Sequence, residues 1–221
     1  MDRVPYVKIC GITRPGDAAL AISAGASAIG LNFVPTSKRR IDVPAALAIV
    51  KEAGKDIDVV AVVADLTVSQ IEDLRDKTGI SWVQLHGDEP PETVRPLMPE
   101  AFKAVRIGDS DDVRRARLYP GSSILVDAKV EGSRGGAGIA FDWRLVKSLA
   151  SERRLILAGG LTPENVESAI MAVGPWGVDV ASGVESAPGI KDPDKVRAFV
   201  AAARAATEKR LAMQEAEGVI A

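Results

Sequence analysis

Cysteine and histidine each occur once in the 221 residues, as Cys10 and His86. A single thiol excludes an intrachain disulfide and fits a reducing compartment. An excess of either charge is also lacking: 28 Lys and Arg stand against 30 Asp and Glu, a formal net charge of −2 with no long like-charge block. That balance leaves no electrostatic footprint for nucleic acid or an anionic membrane, so an anionic ligand has to be held by local features. No uninterrupted apolar run reaches the ~18 residues of a membrane span, and Met1-Asp2-Arg3 passes almost directly into a strand-like run without a secretory apolar region. No cluster of His, Cys, Asp or Glu has metal-ligand spacing, and no low-complexity linker divides the chain. The expectation is a soluble, cytoplasmic protein with no metal, nucleic-acid or membrane partner.

What the chain does have is a repeat of short apolar runs, at 6–10, 28–33, 59–63, 82–85, 102–105, 124–126, 155–158 and 178–181. Most are apolar almost throughout and do not alternate with polar residues, as strands of a parallel sheet buried on both faces require. Between them lie segments of helical spacing, near 15–24, 44–54, 68–77, 91–97, 111–118, 142–150, 163–173 and 193–210. Thr162-Pro163 and Asp192-Pro193 place a side-chain cap before a proline. Ser110 before Asp111-Asp112 reads as a cap, with acidic residues at the positive end of the helix dipole. Gly25, Gly54 and Gly79 stand where a left-handed residue closes a helix. The unit around 91–97, crowded by Pro90, Pro91, Pro96 and Pro99, is the weakest. Eight strand–helix units with short, right-handed crossovers predict an α/β fold, a single-domain (β/α)8 TIM barrel over residues 1–206. Residues 207–221 are expected to be a helical extension and a fraying tail.

Barrels of this type carry their chemistry at the C-terminal ends of the strands. Those ends read Cys10, Phe33, Asp65, His86, Arg106, Asp127, Gly159-Gly160 and Ser182-Gly183, which supplies a thiol, an imidazole and carboxylates for acid–base work. Gly159-Gly160 and Ser182-Gly183 place small residues after the seventh and eighth strands, where bare backbone N–H groups can approach a phosphate. Arg134-Gly135-Gly136-Ala137-Gly138 after the sixth strand can add a further donor or a cover. Asp127 ends a deeply apolar run, which disfavours its charged form and suits it to act as an acid. Lys8 shares side-chain parity with Cys10. Asp179 lies on the eighth strand, the first strand's neighbour on closure, so a buried Lys8–Asp179 contact is expected, with the cation favouring the Cys10 thiolate. The basic loop Pro35-Thr36-Ser37-Lys38-Arg39-Arg40 offers a guanidinium for a carboxylate. His86 is open to an orienting role as much as to proton transfer.

Taken together, Lys8-Ile9-Cys10-Gly11-Ile12-Thr13, Phe33-Val34-Pro35-Thr36-Ser37-Lys38-Arg39, Gln84-Leu85-His86-Gly87, Asp127 with Gly135-Gly136-Ala137-Gly138, Gly159-Gly160-Leu161-Thr162-Pro163 and Val178-Asp179-Val180-Ala181-Ser182-Gly183-Val184-Glu185 resemble the phosphoribosylanthranilate isomerase family of tryptophan biosynthesis, over nearly the whole chain to about residue 203. The resemblance implies an Amadori rearrangement of a phosphoribosyl anthranilate, with Asp127 as general acid and Cys10 as general base. It implies substrate contacts from Arg39, His86 and Asp179, with Arg40 an alternative beside Arg39 for the anthranilate carboxylate. Phosphate contacts would come from Gly136, Gly138, Gly159, Gly160, Ser182 and Gly183. It implies no metal and no organic cofactor, a small-molecule substrate as partner, and a monomer or homodimer. Other phosphosugar barrels share the phosphate cradle but work through carboxylate pairs, often with metal, which the thiol on the first strand argues against. A barrel that only binds a phosphorylated metabolite would have no use for both Cys10 and Asp127.

Overall fold

Eight parallel strands alternate with helices and close on themselves in chain order. A computed structural model describes residues 5–128 and 144–216, with Gly218. The strands are β1 (Tyr6–Cys10), β2 (Ala28–Asn32), β3 (Asp58–Val63), β4 (Trp82–Leu85), β5 (Ala101–Ile107), β6 (Ser123–Ala128), β7 (Arg154–Ala158) and β8 (Gly177–Val180). The helices are α1 (Pro15–Ala24), α2 (Val43–Ala53), α3 (Val68–Thr78), α4 (Pro91–Val94), α5 (Ser110–Ala116), α6 (Arg144–Glu152), α7 (Val166–Val173) and α8 (Pro193–Ala216). Closure is made by β1 against β8, which sets Lys8 opposite Asp179 and Val7 opposite Val178. The (β/α)8 barrel expected from the apolar runs is therefore present.

Alternation along each strand sorts side chains into two layers. Outward residues such as Ile9, Ile29, Ala61 and Leu157 join the large core between sheet and helices. Inward residues form a smaller core of Ala28, Val60, Phe102, Ala104, Leu125, Ile156 and Ala158. The inward series ends at the mouth in polar side chains, because Cys10, Arg106 and Asp127 occupy the next positions along β1, β5 and β6.

Local chemistry explains most helix starts. The Asp42 carboxylate caps α2 by accepting from the Ala45 N–H at 3.0 Å, Thr67 and Gln70 form a capping box on α3, and Asp192 caps α8 by accepting from Asp194 and Lys195 at 3.0 and 3.1 Å. Three expectations need correction. Ser110 is the first residue of α5 and not its cap. Asp109 takes that place and accepts from Asp111 and Asp112 at 2.8 and 3.0 Å, a charged acceptor displacing a neutral one. α7 begins at Val166 and not at Pro163, since the Asn165 side chain folds back to accept from the Thr162 N–H at 2.8 Å and donate to the Gly160 carbonyl at 2.9 Å, which holds 163–165 as a turn. Gly54 takes φ 58°, ψ −125°, outside the left-handed helical well that Gly25 and Gly79 occupy.

α4 is a single turn continued by a 3-10 turn, Arg95–Leu97, which makes it the weakest unit, as its prolines imply. α8 extends past the predicted end near residue 210 to Ala216. Its buried stripe of Val196, Phe199, Val200, Ala203 and Ala206 stops before that. The extension rests on good helix formers and on Lys209, which reaches Glu167 of α7 at 2.8 Å. After β8 the chain forms a 3-10 turn, Ser182–Val184, and an antiparallel hairpin of β9 (Glu185–Ala187) and β10 (Ile190–Lys191) that the sequence pattern did not announce.

Candidate active site

The inward positions of β1 build the base of the site. Lys8 is wholly buried, and its ammonium donates to Asp179 Oδ1 at 2.8 Å and to Gln84 Oε1 at 2.9 Å. The expected Lys8–Asp179 contact is therefore made. Opposite them on β2, a Cβ on Gly30 would lie 2.7 Å from Cys10 Sγ and 3.0 Å from Lys8 Nζ, so only glycine leaves room for the thiol and the cation together. Burial alone would pull the Lys8 ammonium down, but Asp179, with Cys10, more than offsets it and holds the group above its ordinary value.

The thiol moves the other way from expectation. Burial pushes the Cys10 thiol up, Lys8 pulls it down by charge and a hydrogen bond, Asp179 opposes Lys8, and the balance leaves it above its usual value. The cation does favour the thiolate, as the strand parity implies, but desolvation outweighs it. Asp127 faces the same space from β6 with a third of its side chain exposed, more open than its apolar strand suggests, and its Oδ2 lies 3.5 Å from His86 Nε2. His86 in turn meets Gln84 Nε2 through Nδ1 at 3.0 Å.

Arg39 arrives from the β2–α2 loop and is held by a residue the sequence reading assigned no role. Its Nε and Nη2 donate to the two oxygens of Glu185, both at 2.7 Å, so Nη1 is the edge left for a ligand. Lys191 on β10 donates to the same carboxylate at 2.9 Å and to the Ala181 carbonyl at 3.0 Å. Burial works against the Glu185 charge, yet Arg39 and Lys191 overcome it and keep the carboxyl below its usual value. Arg40 is exposed and lines neither cavity at the mouth. Glu185 is legible only as part of a motif, since the two strands of the hairpin are too short to show a period.

Two cavities open at the mouth. One, of about 270 Å³, is walled by Cys10, Asp127, His86, Asp179, Arg39 and the loops Gly159-Gly160 and Ala181-Ser182. Gly183 does not line it. A Cβ there would run into the Leu161 carbonyl oxygen, so this glycine seats the turn after β8 against the loop after β7. The other cavity, about 570 Å³, lies over β3 to β5 and shares His86, with Asp65, Lys103, Arg106 and Tyr119 among its walls. Arg106 has no ion pair among the described residues, whereas Lys103 is anchored on the Leu85, Gly87 and Ala104 carbonyls. Asp65 sits at φ 56° and accepts from the Asp88 N–H at 2.7 Å, linking the loops after β3 and β4. Across the mouth, Thr13 Oγ1 donates to the Gly189 carbonyl at 2.6 Å and clasps the β1–α1 loop to the hairpin. Gly136 and Gly138, also expected at the phosphate, lie outside the described residues. No group of three or more His, Cys, Asp or Glu is placed to hold a metal, and no helix is long and apolar enough to cross a membrane, among the described residues.

Fold and mouth together define a (β/α)8 barrel with titratable side chains and small-residue loops gathered at the C-terminal ends of its strands. A family model described as N-(5′-phosphoribosyl)anthranilate (PRA) isomerase matches residues 7–202. A relative from Myxococcus xanthus, named N-(5′-phosphoribosyl)anthranilate isomerase, is 46% identical over 203 residues, covering 90% of this chain and 95% of its own. The solved phosphoribosyl anthranilate isomerase of Thermotoga maritima superposes with a TM-score of 0.83 at 40% identity, over 91% of this chain and 100% of that one. A second solved isomerase, in complex with reduced 1-(o-carboxyphenylamino)-1-deoxyribulose 5-phosphate, superposes at 0.81 with 38% identity over the same shares. The chain belongs to the N-(5′-phosphoribosyl)anthranilate isomerase family.

Proposed function

We propose that the protein catalyses the Amadori rearrangement of N-(5-phosphoribosyl)anthranilate to 1-(2-carboxyphenylamino)-1-deoxyribulose 5-phosphate, a step of tryptophan biosynthesis, in the cytoplasm. The carrying observation is that Cys10 and Asp127 wall one cavity of about 270 Å³ whose rim is formed by Gly159-Gly160 and Ser182.

In this reading the phosphate rests on the backbone N–H groups of the loops after β7 and β8, and Gly136 and Gly138 add donors. The anthranilate carboxylate takes the free edge of Arg39, and the aryl group extends past His86 toward the larger cavity, where Arg106 is a cation without an ion pair among the described residues. Asp127 gives its proton to the furanose ring oxygen as the bond from that oxygen to C1′ breaks, leaving a Schiff base between C1′ and the anthranilate nitrogen. Cys10, as thiolate, takes the proton from C2′, and the electron pair moves to form the enolamine. Tautomerisation then gives the ketone at C2′. A carboxyl that is partly open and a thiol deep in the wall meet the substrate from different strands, so acid and base act at neighbouring atoms without neutralising each other. Asp179 holds Lys8 beneath the thiol and contacts the substrate only where it borders the cavity.

The test is turnover of fluorescent phosphoribosylanthranilate by wild type, Cys10→Ser and Asp127→Asn, with binding of the reduced product analogue measured in parallel. Both variants should bind the analogue and lose ~10² or more in kcat, the scale of a positioned acid or base. Wild-type turnover in either variant removes that residue from the mechanism.

A further inference from the structure

We infer that Gln84 sets the ring tautomer of His86, so that the imidazole carries its proton on Nε2 and presents that N–H to Asp127. The placement of Gln84 rests on hydrogen-bond polarity. An ammonium has only donors, and Lys8 Nζ, fully buried, lies 2.9 Å from the Gln84 side-chain oxygen. Turning the amide over would set an NH2 against the cation, so the oxygen end is fixed toward Lys8. The nitrogen end is thereby aimed at His86 Nδ1, 3.0 Å away. An amide nitrogen only donates, so Nδ1 must accept and be bare. The proton of the neutral ring is then on Nε2, facing Asp127 Oδ2 at 3.5 Å.

Gln84 is itself fully buried, so water does not substitute for either end. Because Asp179 holds Lys8 at 2.8 Å, one donor direction runs from β1 through β4 to the acid on β6. The use of this N–H rests on the reading of Asp127 as the proton donor. As Asp127 releases its proton, negative charge develops on its oxygens, and an Nε2–H whose nitrogen lies 3.5 Å away is a donor that a small approach of the two side chains brings into hydrogen-bond contact. Gln84 touches no reacting atom and is a positioning residue.

His86 is the only histidine, so the ring can be read directly in full-length protein labelled with 15N-histidine, by two-bond 1H–15N correlation at pH 8. The expected spectrum has Nδ1 at a bare, pyridine-like shift and Nε2 protonated. A protonated Nδ1, or an even mixture, overturns the inference without recourse to any variant. In Gln84→Glu the carboxylate still accepts from Lys8 but now also accepts from Nδ1, so the proton should appear on Nδ1. With the Nε2 donor lost, kcat should fall about tenfold while KM stays within twofold, the loss of one hydrogen bond to a charged group. Retention of the Nε2–H tautomer in Gln84→Glu overturns control by Gln84. Full turnover in Asp127→Asn, with the wild-type tautomer as expected, supports the tautomer and overturns the acid assignment alone.

Discussion

Replacing Lys8 with methionine strands the Asp179 carboxylate. The pair is closed at 2.8 Å with side-chain exposures of 0% and 9%, so solvent takes over little of what the cation supplies. Removing one partner of a buried pair costs ~3–5 kcal/mol, because the remaining charge stays uncompensated. Methionine refills most of the lysine's volume and recovers ~1 kcal/mol through apolar burial, which leaves a net loss of ~2–4 kcal/mol. For a domain of this size each kcal/mol lowers Tm by ~2–4 °C, so a fall of roughly 5–15 °C is expected in a thermal melt followed by circular dichroism. The double variant Lys8→Met/Asp179→Leu removes both charges and should regain most of the loss. Lys8 is held above its unfolded value, so its contribution is complete below pH ~10.4 and is lost only as pH rises through the folded value. The deficit of the single variant should accordingly be constant from neutral pH to about pH 9. A single variant melting within ~1 °C of wild type, or a double variant no better than the single, would refute the reasoning from stranded charge.

Since burial holds the Cys10 thiol above its ordinary value and a base acts only when deprotonated, kcat/KM should still be climbing above pH ~8.5, and a plateau reached by pH 7 contradicts that balance. Gly183→Ala forces a methyl group onto the Leu161 carbonyl; a loss of ~1–3 kcal/mol in urea unfolding is expected, with a raised KM for the phosphorylated substrate. Glu185→Gln removes a carboxylate that Arg39 and Lys191 hold below its usual value against the push of burial. Its contribution is present above pH ~4.3 and lost as pH falls through the folded value, so the variant should trail wild type by ~1.5–3 kcal/mol at pH 7 and converge with it in acid. Parallel urea curves with an equal gap at pH 7 and pH 3 would argue against the ion pair as the cause.

The barrel was legible because parallel strands buried on both faces must be apolar almost throughout; β1 and β4 coincide with their apolar runs to the residue, and β7 begins one residue before its run. The Lys8–Asp179 contact followed from parity and closure alone. Other features escaped for identifiable reasons. Asp109 and Ser110 are adjacent and both able to cap, and only the backbone path chooses between them. β9 and β10 span three and two residues, too few for any period to show. Arg39 and Glu185 stand 146 positions apart, and nothing local announces that one neutralises the other. The sign of the Cys10 shift depends on a balance in which burial outweighs the nearby cation, which a spacing cannot weigh. Gln84 lay within a recognised motif, but its part depends on two neighbours from different strands.

The meeting of β1 with β8 has a consequence for how the chain matures. The strand that bears the thiol is synthesised before the other seven of the barrel, yet one of its two edges has no partner until the segment around residue 180 has left the ribosome. Until then Lys8 has no counter-ion and the hairpin that clasps the opposite loop does not exist. Competence therefore arrives late and in one step, and a nascent chain stalled before its eighth strand would be an unsealed sheet with an open edge, a client for chaperones.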